Sequence, residues 1–505
     1  MLTRTRRLKI HSRTAETDAS ELLRAIARTA QDRPNHPAYI DARSGDGLSY
    51  AELWQRVTEA ADHLFVIAAD RRPMILQCAN VVDFAIWFLA ALVVKVSVFP
   101  VSPAVPKLEV DRLVIESGAK TIVTTVRGRV DAESLTPRVL GTENSATHFA
   151  IALSPKDLAQ FTRQTPSTGI LLASSGTTSA PKIVHRSVES LDAVARDMVE
   201  AIGLTRHDRV LAAVPLTHSY GLEHGLLGPL TAGASVVLTD GMDLASLARL
   251  AGFHISILPA VPAMIEILCG TNSPVASMRT LRLIYSAGAP LPASVRDQFT
   301  QHCSLKIGQV YGMTEIGSVT FNDPRDANFD ASCVGRPMRS VSILVVDPDS
   351  RAGAPEGAEG ELLVHSPSML CGYVGEPAPM EHGHFVTGDL GRVDLQGRVT
   401  ITGRRRLLID TGGLKVNPLE VEAVFQEHAG VAECLVLPMR QSCTVDRLRA
   451  IIVPRDPAAP PTEDSLRSFA RGRLAAGKLP RIIELAPSLP RSASGKVLRA
   501  ALEEP

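Results

Sequence analysis

The feature that most constrains this chain is the alternation of short apolar runs with helical patterns over some 300 residues. Apolar runs of strand length lie at 169–173, 209–214, 234–238, 254–258 and 281–285. Alternation of this kind is typical of α/β layers built on largely parallel sheets. We therefore expect layered α/β subdomains up to about residue 328.

Two segments near the N-terminus give more local expectations. Residues 17–70 predict helices around one turn, and Leu48–Leu53 opens an amphipathic helix whose apolar face carries Leu53, Val57, Ala60, Ala61 and Leu64. The longest apolar run, Phe84–Val94, has eleven residues. Because a membrane span needs about 20 residues, this run predicts a buried helix.

The pattern changes after about residue 328 and again after Gly403. Glycine and proline crowd 334–379 around short apolar runs, which predicts a small β-barrel-like part over 329–403. Residues 404–505 mix helix and strand patterns and predict a small, mobile α+β domain. We thus expect a large N-terminal domain over 1–403 and a C-terminal lid over 404–505, with the boundary at the arginine run Arg404–Arg406.

Charge and cysteine content exclude several classes of function. The chain has 53 Lys and Arg against 53 Asp and Glu, and this balance argues against nucleic-acid and membrane-surface binding, which need a positive excess. The seven cysteines are scattered and form no CxxC, which indicates reduced thiols. The basic N-terminus has no apolar run after it, so we expect no secretory leader and a cytoplasmic protein, monomeric or homodimeric.

The first segment with chemistry is Ser174–Lys182, which directly follows an apolar run. Small hydroxylated residues and glycine in a turn expose backbone N–H groups and hydroxyls to an anion, and a lysine adds charge. These features suit the binding of a polyphosphate, although a solvent-exposed turn of serine and threonine would have the same sequence pattern. A P-loop kinase or GTPase is disfavoured, because GxxxxGK[ST] is not present.

Three further segments carry polar residues in glycine-containing stretches. Tyr311–Glu315 combines a flat ring with a carboxylate in a predicted loop, where the carboxylate suits Mg²⁺ on a phosphate. Thr387–Asp389, followed by Arg404, offers an acceptor for ribose hydroxyls, although an aspartate in a turn is usually a turn former. Pro490–Arg499 places Lys496 after a glycine, which alone would suggest a flexible tail.

In this order and spacing, the four segments resemble the signature motifs of the adenylate-forming superfamily. This superfamily includes acyl- and aryl-CoA synthetases, peptide-synthetase adenylation domains and firefly luciferase. Further matches lie at Ser286–Pro290, Val334–Pro337, Gly360–Leu362, Gly372–Tyr373 and Gly412–Glu422, so the resemblance covers nearly the whole chain. It implies an AMP-forming acid–thiol ligase that uses ATP, Mg²⁺ and CoA.

The resemblance also implies roles for residues in adenylate formation. Thr314 would touch the α-phosphate and Glu315 would hold Mg²⁺, while Lys496 would bridge the carboxylate and the α-phosphate. Cations are needed there because an anionic carboxylate attacks an anionic phosphate. With His218, these are the implied catalytic residues. The implied ATP- and AMP-binding residues are Ser174, Ser175, Gly176, Thr177, Thr178 and Lys182 for the phosphates, Gly288, Ala289, Pro290 and Tyr311 for adenine, Asp389 for the ribose hydroxyls, and Arg404 for the ribose or a phosphate.

The family runs a second step after rotation of its C-terminal domain, when a thiol attacks the adenylate. The hinge position falls on Arg406, where aspartate or lysine is usual. A tunnel for pantetheine would be lined by Gly412, Gly413 and Lys415, and glycine suits such a tunnel because backbone then approaches the ligand closely.

The segment Val214–His224 resembles the acyl-pocket loop of acyl- and aryl-CoA ligases, with His218 at their gating position. Amino-acid-activating domains usually carry an aspartate there, whereas Glu223 is the sole carboxylate between Val214 and Leu230. Val310 replaces a usual glycine and narrows the pocket. The implied pocket residues, mostly apolar, suit an aryl or short-to-medium acyl acid: His218, Tyr220, Gly221, Ser286, Val310, Gly312 and Met313.

The expected function is therefore activation of a small carboxylic acid to an acyl-adenylate, with release of pyrophosphate, followed by thioester formation with CoA. One alternative is loading of the phosphopantetheine of a separate acyl or peptidyl carrier protein in natural-product biosynthesis. Another is a non-catalytic adenylate-binding protein, which the presence of Thr177, Glu315, Asp389, Arg404 and Lys496 disfavours.

Overall fold

The structure of the chain is a computed structural model, which describes most of the sequence with gaps. The described residues are 20–68, 70–105, 107–125, 138–140, 148–152, 168–174, 182–239, 251–269, 280–303, 305–405, 409–410, 415–440, 446–471, 473–474, 476–491 and 497–502.

The described strands, in chain order, are β1 (Pro37–Asp41), β2 (Gly47–Ser49), β3 (Met74–Gln77), β4 (Val98–Pro100), β5 (Thr121–Thr124), β6 (Arg138–Leu140), β7 (His148–Ala152), β8 (Gly169–Ala173), β9 (Ile183–Ser187), β10 (Arg209–Ala212), β11 (Ser235–Leu238), β12 (Ile257–Ala260), β13 (Leu283–Ser286), β14 (Ile307–Met313), β15 (Gly317–Asn322), β16 (Arg336–Pro337), β17 (Ser342–Val346), β18 (Gly360–His365), β19 (Gly372–Tyr373), β20 (Met380–Glu381), β21 (His384–Val393), β22 (Val399–Arg404), β23 (Ile409–Asp410), β24 (Lys415–Val416), β25 (Val431–Arg440), β26 (Asp446–Pro454) and β27 (Ile482–Leu485).

The described α-helices are α1 (Glu21–Asp32), α2 (Tyr50–Ile67), α3 (Val82–Val93), α4 (Lys107–Ser117), α5 (Val188–Ile202), α6 (Ser219–Leu222), α7 (Gly228–Thr231), α8 (Pro262–Leu268), α9 (Ala293–Cys303), α10 (Pro418–Gln426) and α11 (Glu463–Arg471). Between α6 and α7 the chain makes a π-helical turn, Glu223–Leu227.

The chain divides into two compact units. The first contains the described residues up to Val341 together with His365–Pro379, and the second contains Ser342–Val364 and the described residues from Met380 onward. A mixed α/β fold with a larger N-terminal part and a smaller C-terminal part of strands and helices is thus confirmed. The predicted boundary between 403 and 404 stays a prediction.

The larger sheet of the first unit is mainly parallel. Of the strands that the structure describes, nine form this sheet, in the order β16-β15-β14-β13-β12-β10-β11-β1-β2. The strands from β14 through β1 run parallel, whereas β2, β15 and β16 add antiparallel edges. The largely parallel sheet expected from strand–helix alternation is therefore confirmed.

The second sheet of this unit repeats the arrangement on a smaller scale. Within the described ranges it has eight strands, in the order β19-β9-β8-β4-β3-β5-β7-β6. Its centre, β8-β4-β3-β5, is parallel, and its outer strands are antiparallel. Helix α5 contacts β8 and β9 of this sheet and β15 of the larger one, so it joins the two layers.

Helix α2 forms as its sequence predicts. Its amino end has a capping box, in which the Ser49 hydroxyl accepts a hydrogen bond from the Glu52 backbone N–H and the Glu52 carboxylate accepts one from the Ser49 N–H. The predicted apolar face is buried, with Leu53, Val57 and Leu64 fully inaccessible.

The expectation of helices around one turn over 17–70 is only partly right. Between α1 and α2 the chain forms the β1–β2 hairpin, which extends the edge of the larger sheet beside β11. Tyr39 lies opposite Val236 there. These strands are short, and β1 pairs with a strand remote in sequence, so the local pattern could not reveal them. Residues 17–19 lie outside the described residues.

The apolar run at Phe84–Val94 forms helix α3, and nine consecutive residues of it, Phe84–Leu92, are buried. The predicted buried helix is thus confirmed. In the part of the chain that the structure describes, every helix is too short or too polar to cross a membrane.

The second unit combines antiparallel strands with helices. Strands β17, β18, β21 and β20 form a sheet, with β22 paired to β21, where the sequence predicted β structure. Farther along, β25, β26 and β27 form another sheet against which α10 and α11 pack. Phe425 of α10, Ile452 of β26 and Leu466 of α11 share its apolar core.

An ion pair lies at the amino-terminal edge of the parallel strands. Asp208, just before β10, accepts hydrogen bonds from Ser256, just before β12, and from Arg282, just before β13, at 2.7 and 2.8 Å. Desolvation alone would raise the pKa of Asp208, but hydrogen bonds from Arg282, Ser256 and Thr205 outweigh it and lower the pKa to about 2.

We expect Asp208→Asn to lower the free energy of unfolding by about 2 kcal/mol at neutral pH. Because the pKa is lower in the folded than in the unfolded chain, the stabilisation is complete above the unfolded value of 3.8 and is lost as the pH falls toward 2. Urea unfolding of the wild type and the variant at several pH values measures this difference.

Asp297→Asn is the matched control, since Asp297 forms an exposed ion pair with Arg296. It should change the free energy of unfolding by no more than about 0.5 kcal/mol. A stability difference for Asp208→Asn that does not shrink below the unfolded pKa would contradict the account.

Candidate active site

The residues predicted to bind substrate gather at the carboxyl-terminal edge of the larger sheet. Ser286 is the last residue of β13, with Ala260 of β12 and Gln309 of β14 as its neighbours across the strands. Gly288–Pro290 continues from β13 and is exposed. This edge is where open α/β sheets bind ligands.

Thr314 and Glu315 occupy the turn between β14 and β15. The Ile316 N–H donates to the Met313 carbonyl at 3.1 Å, closing the turn. The predicted loop is wrong for Tyr311–Met313, because β14 continues through Met313. The cause is pairing with β15, in which Gly312 lies opposite Ser318 and Met313 opposite Gly317.

The Thr314–Glu315 turn contacts a segment far ahead in the sequence. The Tyr373 hydroxyl donates to Glu315 Oε1 at 3.2 Å, and the Leu370 N–H donates to the Glu315 carbonyl at 2.7 Å. Tyr373 lies in β19, which pairs with β9 opposite Val184. Strand β19 therefore joins the strand after the predicted phosphate loop to the predicted metal ligand.

Lys182 ends the predicted phosphate loop and lies beside the same tyrosine. Its Nζ is 4.7 Å from the centre of the Tyr373 ring and 2.9 Å from the Glu376 carboxylate. The buried Ser174, at the other end of the loop, donates its N–H to the Lys182 carbonyl at 2.8 Å. The structure thus places Lys182 over the face of the Tyr373 ring and Glu315 at its hydroxyl.

Tyr373 and Glu376 are site residues that the sequence reasoning missed. The Gly372–Tyr373 pair was recognised as a family match but received no role, and Glu376 was not singled out. The sequence signal available for Tyr373 was its position next to a glycine within that family match. Its pairing with Glu315 depends on β19 crossing to β9, which no local pattern reveals.

His218 and Tyr220 differ in how the structure holds them. The His218 side chain is exposed just ahead of α6, yet desolvation by the protein around it lowers its pKa. Tyr220 donates its hydroxyl to the Ala260 carbonyl at 3.1 Å, and burial raises its pKa. A Cβ at Gly221 would lie 2.1 Å from the Pro215 carbonyl oxygen, so only glycine fits there.

Glu223, the carboxylate considered for an amino-acid substrate, points into the protein. It is 1% exposed, and its Oε1 accepts a hydrogen bond from Arg186 Nη1 at 2.6 Å. This carboxylate is already neutralised by a buried cation. Its hydrogen bonding is thus directed to Arg186 and not to the surface of the protein.

His224, the next residue, is also buried. Its ring nitrogens lie 2.8 Å from the Tyr285 hydroxyl and 2.9 Å from Ser318 Oγ. Burial lowers its pKa to about 3, so the ring is neutral near neutral pH.

Asp389, predicted to bind ribose, and Arg404, predicted to bind ribose or phosphate, are neighbours in the second unit. They lie opposite each other on β21 and β22, and Arg404 Nε donates to Asp389 Oδ1 at 2.6 Å. The Thr387 hydroxyl accepts from the Asp389 N–H at 3.0 Å. The structure thus brings this predicted pair together on adjacent strands.

Several predicted site residues lie outside the described residues: Ser175, Gly176, Thr177, Thr178, Arg406, Gly412, Gly413 and Lys496. Lys415 is placed in β24, and the structure does not describe its side chain.

The donor set suits Mg²⁺ bound together with phosphates. Glu315 offers a carboxylate in a turn beside Lys182, and one of its oxygens accepts the Tyr373 hydroxyl. In the described residues no group of three or more His, Cys, Asp or Glu side chains could hold a metal ion. A single carboxylate fits Mg²⁺, which binds proteins through one or two carboxylates and completes its shell with phosphates and water.

Comparison with known proteins identifies the family. The AMP-binding enzyme family matches residues 26–374, and the AMP-binding enzyme C-terminal domain matches residues 420–496. The chain belongs to the adenylate-forming superfamily of AMP-binding enzymes. It is an AMP-forming acid–thiol ligase, the class that its motifs indicated.

Relatives match along most of the chain. An oxalate–CoA ligase of Arabidopsis thaliana is 26% identical, with 95% of this chain and 97% of that protein covered. A 4-coumarate–CoA ligase of Oryza sativa subsp. japonica is 28% identical, with 92% and 88% covered. The ATP-bound crystal structure of MatB from Rhodopseudomonas palustris is 25% identical, with a TM-score of 0.80 and 95% and 97% covered.

The contact between Lys182 and Glu376 predicts an effect on ATP affinity. Glu376→Gln removes a carboxylate that would compete with phosphate for Lys182, the predicted phosphate ligand. Both side chains are substantially exposed, so the ion pair is weak and we expect ATP to bind about two- to fivefold more tightly. Titration calorimetry with ATP measures this change.

Glu200→Gln is the control, because Glu200 of α5 forms an exposed ion pair with Arg339 that this variant breaks. The affinity of this variant for ATP should equal that of the wild type. Equal or weaker ATP binding by Glu376→Gln would show that Glu376 does not compete for Lys182.

Proposed function

We propose that the enzyme activates a small carboxylic acid with ATP, releases pyrophosphate, and transfers the acyl group from the adenylate to CoA. The observation that carries this proposal is the link Lys182–Tyr373–Glu315, which connects β9 and β19 of the eight-stranded sheet to the turn after β14 of the larger sheet. It sets a cation and a carboxylate on one tyrosine, as a metal-bound polyphosphate requires.

In the first step, a carboxylate oxygen of the acid attacks the α-phosphorus of ATP, and the bond to pyrophosphate breaks. Both reactants are anionic, so positive charge at the phosphoryl oxygens lowers the barrier. We assign Lys182 to the phosphates, Thr314 to the α-phosphate and Glu315 to Mg²⁺, which supplies charge neutralisation when bound. Lys496, outside the described residues, is proposed to bridge the two reacting groups.

In the second step, the CoA sulfur, whose thiol proton is lost to solvent, attacks the acyl carbonyl carbon, and the bond between that carbon and the AMP oxygen breaks. The neutral His218, exposed ahead of α6, is proposed to gate the approach to the acyl group. Arg406 as hinge and Gly412, Gly413 and Lys415 as tunnel residues remain proposals from the family resemblance. We favour CoA over a carrier protein because the matching relatives are named CoA ligases.

The proposed substrate is an aryl or short-to-medium acyl acid without an α-ammonium group. Val310 is buried on β14, and we propose that it lies beside the acyl group and narrows the pocket. Glu223 is engaged by Arg186, so no carboxylate of the pocket loop is available to an amine. The relatives named for oxalate and for 4-coumarate span small and aryl acids, consistent with this class.

The test is acid-dependent ATP–pyrophosphate exchange over a panel of benzoic, cinnamic, short and medium fatty, dicarboxylic and amino acids. We expect exchange with acids of one class, none with amino acids, and a loss of about 100-fold or more in Lys496→Ala. Adding CoA should then yield the acyl-CoA.

Three outcomes would contradict parts of the proposal. Exchange only with amino acids would overturn the substrate class. Exchange without acyl-CoA formation, but with acylation of a phosphopantetheinylated carrier protein, would overturn CoA as acceptor. ATP binding without exchange for any acid would favour the non-catalytic alternative.

A further inference from the structure

The carboxyl-terminal edge of the larger sheet rests on a buried ion pair that the reaction does not use directly. Arg186 of β9 and Glu223 are each 1% exposed, and their Nη1 and Oε1 atoms are 2.6 Å apart. Arg186 Nε also donates to the Ser368 carbonyl at 3.0 Å. Burying two charges is costly, so a pair in this position calls for an explanation beyond stability.

The second oxygen of Glu223 holds the strand that follows the Thr314–Glu315 turn. Glu223 Oε2 accepts hydrogen bonds from the backbone N–H and the hydroxyl of Ser318, at 3.1 and 3.0 Å. Ser318 comes three residues after Glu315. Through Arg186 of β9 and Ser318 of β15, the Glu223 carboxylate therefore joins the strand after the predicted phosphate loop to the strand after the predicted metal ligand.

The turn closes directly onto the ion pair. A Cβ on Gly317 would lie 2.6 Å from Glu223 Oε1 and 2.8 Å from Arg186 Nη2, and the φ of Gly317 is +87°. Only glycine allows the turn to approach this closely. A shift of the ion pair would therefore displace Gly317 and, through the backbone of the turn, Glu315.

An irregularity of the backbone at Glu223 supports a functional role for the ion pair. Glu223 and His224 begin the π-helical turn Glu223–Leu227, and such turns often occur at functional sites. Arg186 Nη2 is buried and has no hydrogen-bond partner within the described residues. A network kept only for stability would satisfy this donor.

We propose that Arg186 and Glu223 are positioning residues, which hold the Thr314–Glu315 turn where the α-phosphate and Mg²⁺ must bind. This inference rests on the proposed function. It adds that Mg²⁺-dependent binding of ATP is set by a buried ion pair that touches neither ligand.

The first test is the affinity of Glu223→Gln for ATP, measured by titration calorimetry with Mg²⁺ and with EDTA. The variant leaves the Arg186 charge unpaired and frees the turn. We expect ATP binding in Mg²⁺ to weaken by about tenfold or more, and binding in EDTA to weaken by less than about threefold.

Asp208→Asn is the matched control, because Asp208 pairs with Arg282 at the opposite edge of the same sheet. It should lower the melting temperature and leave both ATP affinities unchanged. If the two variants lose ATP affinity equally in Mg²⁺ and in EDTA, or if neither loses it, the positioning role is refuted.

Two further variants keep the test decisive if Glu223→Gln does not fold. The double variant Arg186→Met/Glu223→Leu removes both charges, so no unpaired charge remains and the melting temperature should fall less than in Glu223→Gln. Ser318→Ala removes a single hydroxyl. Both should weaken ATP binding selectively in Mg²⁺, Ser318→Ala by about threefold, and unchanged Mg²⁺-dependent affinity in both would overturn the proposal.

A separate measurement on the wild type tests the proposed function independently of these variants. Wild-type acid-dependent ATP–pyrophosphate exchange reports whether the enzyme forms adenylates, whatever the variants do. Normal wild-type exchange with unaltered ATP binding in the variants would remove the positioning role and leave the function standing.

Discussion

Parallel pairing of β10, β12, β13 and β14 is the constraint on which the site depends. Because these strands run in one direction, the segments that follow them emerge at one edge. The pocket loop follows β10, Ser286 ends β13, and the Thr314–Glu315 turn ends β14. Residues far apart in sequence are thereby brought to a common edge by backbone hydrogen bonding alone.

The two edges of this sheet use ion pairs differently. At the amino-terminal edge, Asp208 and Arg282 join the starts of strands, and hydrogen bonds there hold the pKa of Asp208 low. At the carboxyl-terminal edge, Arg186 and Glu223 are fully buried beneath a glycine turn. The first pair ties strands together, whereas the second is proposed to set the position of the turn that carries Thr314 and Glu315.

Much of the fold could be predicted because its signals are local. Apolar runs marked five strands of the two large sheets, β8, β10, β11, β12 and β13. The amphipathic pattern of Leu53–Leu64 marked α2, and the apolar run at Phe84–Val94 marked α3. The β1–β2 hairpin and the continuation of β14 through Met313 were missed. Both depend on partner strands, β11 and β15, which a local pattern does not contain.

The candidate site could likewise be predicted only in part from the sequence, because some of its contacts depend on strand pairing. Motif spacing identified Lys182, Glu315, Asp389 and Arg404, because the resemblance links these residue types to ATP. It did not identify Tyr373 as the link between Lys182 and Glu315, nor Arg186 as the partner of Glu223. Those contacts are set by how β9 pairs with β19 and packs near β15.

In the proposed reaction, the carboxylate of the acid attacks the α-phosphorus of ATP. Transfer of oxygen-18 from a labelled acid substrate, followed by mass spectrometry of the nucleotide product, tests this step. If this mechanism operates, AMP gains one labelled oxygen as acyl-CoA forms. Label in inorganic phosphate with ADP as the product would contradict it, because attack would then have occurred at the γ-phosphorus.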